Sequence, residues 1–264
     1  TYTEADQYSG LLYIRGSNAG ANNNMTAFVG YPAELPVLDT RTNSLGNAIR
    51  NNSQYDGDAR YMVFSKMKIY PYGIAFLVTN STGGNFRVIG LDIDGNNLEL
   101  PNASTWSGLV DFHDTHDGWV FGNNIHHWGR DKFDHAIYLG NNIAGTNVLN
   151  YELAWNEIHD MGTEVSGLYV HPQDTDSGHS YADNIKLHDN LVYNLSHAGI
   201  LMYSRTQNIQ IYNNIIHHCG NSAAGRSCVQ LTPDAYYATN CKFYNNTLYT
   251  TDAAALMYIG YAGM

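Results

Sequence analysis

Asp111-Phe112-His113-Asp114, with His116 two places on, puts two carboxylates and two imidazoles into one short segment. Further along come His135 and Tyr138, then Tyr169, His171 and Asp174, then His197, Tyr203 and Arg205. All 12 histidines fall between His113 and His218. Imidazole, phenol and carboxylate groups take up and return protons when they are held within hydrogen-bond reach of a reacting atom. These groups are tens of residues apart, so they form one site only if the fold stacks their segments side by side.

An internal repeat supplies such stacking. NNIH (123–126), NEIH (156–159), NLVY (190–193), NIIH (214–217) and NTLY (246–249) share an Asn, then any residue, then an aliphatic, and a closing His or Tyr. LDID (91–94) and MKIY (67–70) continue the register without the Asn. The unit is about 24 residues, sometimes lengthened by inserts. A second ladder precedes each Asn, as in GWVFGN (118–123) and NIKLHDN (184–190). A third follows it, as in GLVDFH (108–113), HAIYLG (135–140), GLYVHP (167–172) and GILMYS (199–204). All are short, alternating and rich in Ile, Val, Leu, Tyr and Phe, so they read as strands bounded by Gly, Asn and Asp turns. No segment has a 3.6-residue period.

Three short strands per unit predict an all-β, right-handed parallel β-helix solenoid of roughly eight turns, forming one domain over residues 1–264. Outward residues of the third ladder then form adjacent rows, within ~5–10 Å laterally. Ile69, Ile93, Ile125, Ile158, Val192, Ile216 and Leu248 should make one inward stack, and Trp128, Met161, Leu195 and Cys219 another. The recurring Asn should form an internal amide ladder. Three Cys cannot all pair, so they read as buried thiols, with Cys241 in the core position that Ile209 holds one turn earlier. His126, His159 and His217 share a position with Tyr70, Asp94, Tyr193 and Tyr249 and should stack outward. Such a linear ladder does not supply the converging ligands that zinc needs. The acidic segments DIDGN (92–96) and DTDSG (174–178) have spacing suited to Ca²⁺, without the Glu that completes an EF-hand.

Composition narrows the partners. The 264 residues carry 13 Lys and Arg against 24 Asp and Glu, a net charge of −11, so no basic face is available for nucleic acid or anionic lipid. No apolar run reaches the ~20 residues of a membrane-spanning helix. At 44 % hydrophobic and 14 % charged, the chain is not disordered, and three Cys exclude a disulfide scaffold. It starts at Thr1 and ends at Met264 inside the repeat, which suggests a mature secreted product or an excised part. One or both end caps are expected to be missing, so end-to-end self-association is an expected partner mode.

The pattern from about Leu11 onward resembles the right-handed parallel β-helix (pectin-lyase-like) superfamily of carbohydrate-active proteins. The opening LLYIRGSNAGANNNMTAFVGYPAELPVLD (11–39) is especially like the first turns of secreted β-helix lyases. Asp111-Phe112-His113-Asp114 is similar to the Asp-Pro-His-Asp motif of mannuronan C5-epimerases, with Phe112 in place of Pro. His135-Ala136-Ile137, and His197-Ala198-Gly199-Ile200 with Arg205, are like that family's His-Gly-Ile strand and the Arg after it. The resemblance implies an extracellular or cell-surface protein acting on an acidic, uronate-containing polysaccharide as a lyase or C5-epimerase. His113 or His135 would be the base and Tyr138 or Tyr169 the acid. Arg205, or Arg130 and Lys132, would neutralise the carboxylate. Asp111 and Asp114 would orient His or hold a cation, and His116, Tyr169, His171, His197 and Tyr203 would bind substrate. No cofactor is required on this reading, with Ca²⁺ an optional ion. The alternative is a structural or adhesive solenoid: a fibre subunit, a surface-layer element or a tailspike-like carbohydrate-binding protein.

Overall fold

The computed structural model describes residues 10–16, 19–22, 24–41, 46–52, 57–79, 83–98, 107–141, 143, 145–172, 180–221, 224–232 and 238–260. The chain winds through three parallel sheets in strict rotation, with each strand paired to its counterparts one turn before and one turn after. It is a three-sided parallel β-helix, all-β, with no α-helix among the described residues. The first sheet has nine strands and includes Ser107–His113, Asp134–Gly140, Ser166–His171, Ile200–Tyr203 and Val229–Thr232. The second includes His116–Phe121, Val148–Ala154 and Ala182–His188. The third has eight strands and includes Lys68–Tyr70, Asp92–Leu98, Asn124–Trp128, Glu157–His159, Leu191–Leu195 and Ile215–Cys219.

Inside, the ladder Ile69–Ile93–Ile125–Ile158–Val192–Ile216 is fully buried, and each residue is level with its counterpart on the next turn. Leu248, on the last of these strands, packs against that core from a partly buried position. Trp128, Met161, Leu195 and Cys219 form the second stack, all buried. Phe112 belongs to this interior too, with its ring 5.4 Å from Phe76 and 5.5 Å from Tyr151. The residue that departs from the Asp-Pro-His-Asp pattern is therefore a core residue, and its burial pins the strand that carries Asp111 and His113.

Asparagine does two separate jobs. Asn123, Asn156, Asn190, Asn214 and Asn246 form the internal ladder, each amide Nδ2 donating to the next Oδ1 at 2.9–3.0 Å. The second job is conformational. The residue just before each ladder Asn has positive φ, as Gly122, Trp155, Asp189, Asn213 and Asn245, and so has Gly90 before Leu91 in the same register. A second set recurs in the second sheet at Asn85, Asp117, Asn150, Asn184, Asn208 and Asn240, and a third in the third sheet at Asn96, His127, Asp160, Asn194 and His218. Asn, Asp and Gly tolerate the left-handed region best, which accounts for much of the chain's Asn content.

All three cysteines are free: Cys219 and Cys228 are buried, whereas Cys241 is exposed. Cys241 does follow Ile209 in register, but it lines an apolar cavity with Ile209, Phe243, Leu231 and Met257 at the last described turns, where the core is less covered. The segment 174–178 lies outside the described residues.

Candidate functional site

The outer face of the first sheet gathers most of the chemistry. One outward row runs Arg50, Leu77, Asp111, Tyr138, Tyr169, Leu201 and Gln230, each level with the next across the parallel pairing. Beside it, His113 and His171 flank Gly140 in register. A Cβ on Gly140 would meet the Tyr138 ring at 2.6–2.8 Å. Gly140 thus leaves room for the Tyr138 phenol to lie over its own strand, between the two imidazoles.

His113 is fixed by Asp111. The ring Nε2 lies 2.7 Å from Asp111 Oδ1, and Asp111 Oδ2 accepts the Gly108 N–H at 2.9 Å. Both groups are buried. The contact is a close approach of carboxylate and imidazole rather than an aligned hydrogen bond, and it orients the ring on this face. The His113 ring stands 4.9 Å from that of Tyr138, and the Tyr138 hydroxyl is 3.3 Å from His171 Nδ1. His171 in turn meets Tyr203 edge-on at 5.0 Å and stacks on Tyr169 at 5.2 Å. Imidazole and phenol thus alternate across four consecutive strands.

Beneath lies a closed layer. His135 is fully buried, 4.3 Å from the Tyr169 ring and 5.4 Å from Tyr138. Burial, followed by the neighbouring His197 and His171, holds its pKa well below the usual range, so it stays neutral. Burial lowers His171 to about 4, with a smaller push from His113, and lowers His197 to about 3, with Arg226 adding to it. His197 Nδ1 accepts from Ala198 N at 2.7 Å and lies 3.0 Å from Ser166 Oγ, contacts that suit a neutral ring. Burial also raises the Tyr169 hydroxyl far above the usual phenol range, with Tyr138 next in effect.

Other expected residues lie elsewhere. Asp114 turns to the following loop, where Oδ1 accepts from Ile143 N at 2.8 Å and Thr146 Oγ1 at 2.7 Å. His116 is around the corner in the second sheet, 2.7 Å from Asp117. Arg205 occupies the corner after Ile200–Tyr203, half-buried, and its carbonyl accepts from Ala182 N. Arg130 is bound to Asp134 at 3.2 Å, and Lys132 lies over the Phe133 ring. Asp174 falls outside the described residues. The sequence reading missed Ser166, Arg226, Arg50 and Gln230. Arg50 and Gln230 share the outward row of Asp111, so ladder alignment alone could have found them; Arg226 lies in an insert, where no repeat register guides the eye. Compared with known proteins, the chain matches no family model and no curated protein.

Proposed function

We propose that this face removes the proton next to the carboxylate of a uronate in an acidic polysaccharide outside the cell, as a lyase or a C5-epimerase. The observation that carries the reading is the His113–Asp111 pair set against Tyr138, whose hydroxyl is joined to His171. His113 takes the C5 proton, and the electron pair of the broken C–H bond moves into the carboxylate. A cationic group beside that sugar balances the charge; Arg205 stands three strands along from His113 and would hold the carboxylate of a neighbouring sugar. Return of a proton to the opposite face from Tyr138 gives the epimer. Departure of the 4-linked oxygen, protonated by the same phenol, gives an unsaturated product. Tyr169 and His135 serve as the rigid layer that holds Tyr138 and His171 in place.

A second reading, a non-catalytic adhesive or structural solenoid, draws on the burial of Tyr138 and His135, each 0 % exposed, which leaves only the half-buried His171 and Tyr203 rings for a ligand to reach easily. Incubation with a panel of polyuronates, followed by ultraviolet absorbance of new double bonds and by the ratio of epimers in the product, separates the two. Turnover on one polymer supports the first reading. Binding without turnover across the panel supports the second.

A further inference from the structure

We propose a divalent transition-metal site on the third sheet, formed by Asp94, His126 and His127, that clips two successive turns together. Asp94 belongs to Asp92–Leu98 and the two histidines to Asn124–Trp128, so a shared ion would bridge the turns. One donor atom from each residue lies within 4.8 Å of the other two. His126 Nδ1 is 3.7 Å from Asp94 Oδ1 and 2.6 Å from His127 Nδ1.

A strand should not place consecutive side chains on one face, which is why a ladder of His reads as linear in the sequence. His127 breaks the rule because it has φ of 56° and the register shifts between His126 and Trp128. Its ring swings alongside that of His126 instead of facing inward, at 84° and 4.8 Å. Two ring nitrogens so close share one proton, and an ion replaces it once the rings part to the roughly 3.3 Å that two ligands of a tetrahedral ion require.

The surroundings select the tautomer. His126 Nε2 is 3.3 Å from Asp92 Oδ1, and Asp92 Oδ2 is held by Lys68 at 3.0 Å. Metal-binding imidazoles commonly donate their second N–H to such a carboxylate, which orients the ring and makes the other nitrogen a better ligand. Nδ1 of His126 is thereby aimed at Asp94 and His127. Two imidazoles and one carboxylate suit a zinc-type ion with a fourth position left to water. Ca²⁺ and Mg²⁺ prefer all-oxygen sets.

The repeat provides its own controls. One turn on, His159 Nδ1 bonds Asp160 at 2.8 Å, so a carboxylate occupies the place of the second imidazole. Two turns further, His217 and His218 again face each other at 2.8 Å, but the residue level with His217 on the turn before is Tyr193, not a carboxylate. Paired imidazoles alone are therefore present without the third ligand.

The test is titration of chelator-stripped protein with Zn²⁺ by calorimetry and with Co²⁺ by its visible absorption, alongside thermal melting. One ion per chain at micromolar concentration is expected, with a rise in Tm. Asp94→Ala and His127→Gly should each weaken binding tenfold or more; Gly keeps the positive φ, so the fold is preserved, as circular dichroism would verify. Asp92→Asn should weaken it about 10- to 100-fold. His217→Ala and His171→Ala should leave it unchanged. No saturable binding, loss of binding in His217→Ala or His171→Ala, or Ca²⁺ binding as tightly as Zn²⁺ would overturn the proposal.

Discussion

His113 is oriented by Asp111, and the two are expected to fail together. Asp111→Asn should leave the fold intact and lower turnover at least a hundredfold, because a neutral amide no longer stabilises the imidazolium that forms on proton abstraction. Activity near wild type would remove His113 from the base role. Titration gives a separate handle. His197, held near 3 by burial, is neutral in the fold but binds a proton in the unfolded chain below pH 6.5. Between about 6.5 and 3 the unfolded state therefore binds more protons, so this group's contribution is full above 6.5 and lost as the pH falls. The full loss is on the order of 5 kcal/mol. His197→Asn keeps an acceptor for Ala198 N and cannot titrate, so its Tm should fall less steeply than wild type over that window. Parallel Tm curves would contradict the buried neutral ring. The sequence made the residue types of this cluster legible, but not their division into the half-buried His171 and Tyr203 and a closed layer. That division depends on which rings cover which, as Tyr138 and Tyr169 cover His135, and one-dimensional spacing carries no such information.

At the level of the strands and corners, the inward and outward assignments follow directly from the alternating pattern. Ile158→Asp places an unpaired carboxylate between turns and should cost several kcal/mol. His159→Ala, on the opposite side of the same strand, loses its stacking on His126 and Tyr193 and two half-buried hydrogen bonds, about 1 kcal/mol. Melting curves of the two variants decide; the reverse order would invert the face assignment. Within the amide ladder, Asn156→Ala leaves Val120 O and the Asn123 amide without their bonds and should cost about 2–4 kcal/mol. Asn150→Gly, in the exposed ladder, should cost less than about 1 kcal/mol. The internal ladder was readable because its Asn recur in phase with Ile125, Ile158 and Val192. The positive-φ ladders were not, because Gly122, Trp155, Asp189 and Asn213 fill one structural position with four residue types. The same blindness hid the His126–His127 pairing, which needs His127 in the left-handed region.

Across the whole molecule, three sheets turn a 24-residue repeat into a rod whose first face carries rows of His and Tyr and whose third face carries stacked rings, His126–His159–Tyr193–His217, at 5.0 Å spacing. This architecture was legible in the sequence because each turn buries the same pattern against its neighbour. The activity was less so, since a solenoid of this kind supports many chemistries on one scaffold. With a net charge of −11, the proposed acidic polymer would have to be drawn in by local cations rather than by the field of the whole molecule. Arg205→Ala should therefore weaken polyuronate binding far more than Lys242→Ala, which alters charge on a different sheet; equal losses would move the binding face. The most direct test of the central claim is turnover of a polyuronate in deuterated water, read by NMR at C5, with wild type and His113→Ala side by side. The account predicts deuterium at C5 of the epimer, or an unsaturated product lacking the C5 hydrogen, from wild type, and neither from a folded His113→Ala. Equal turnover by both proteins, or none by wild type on any polyuronate it binds, would contradict it.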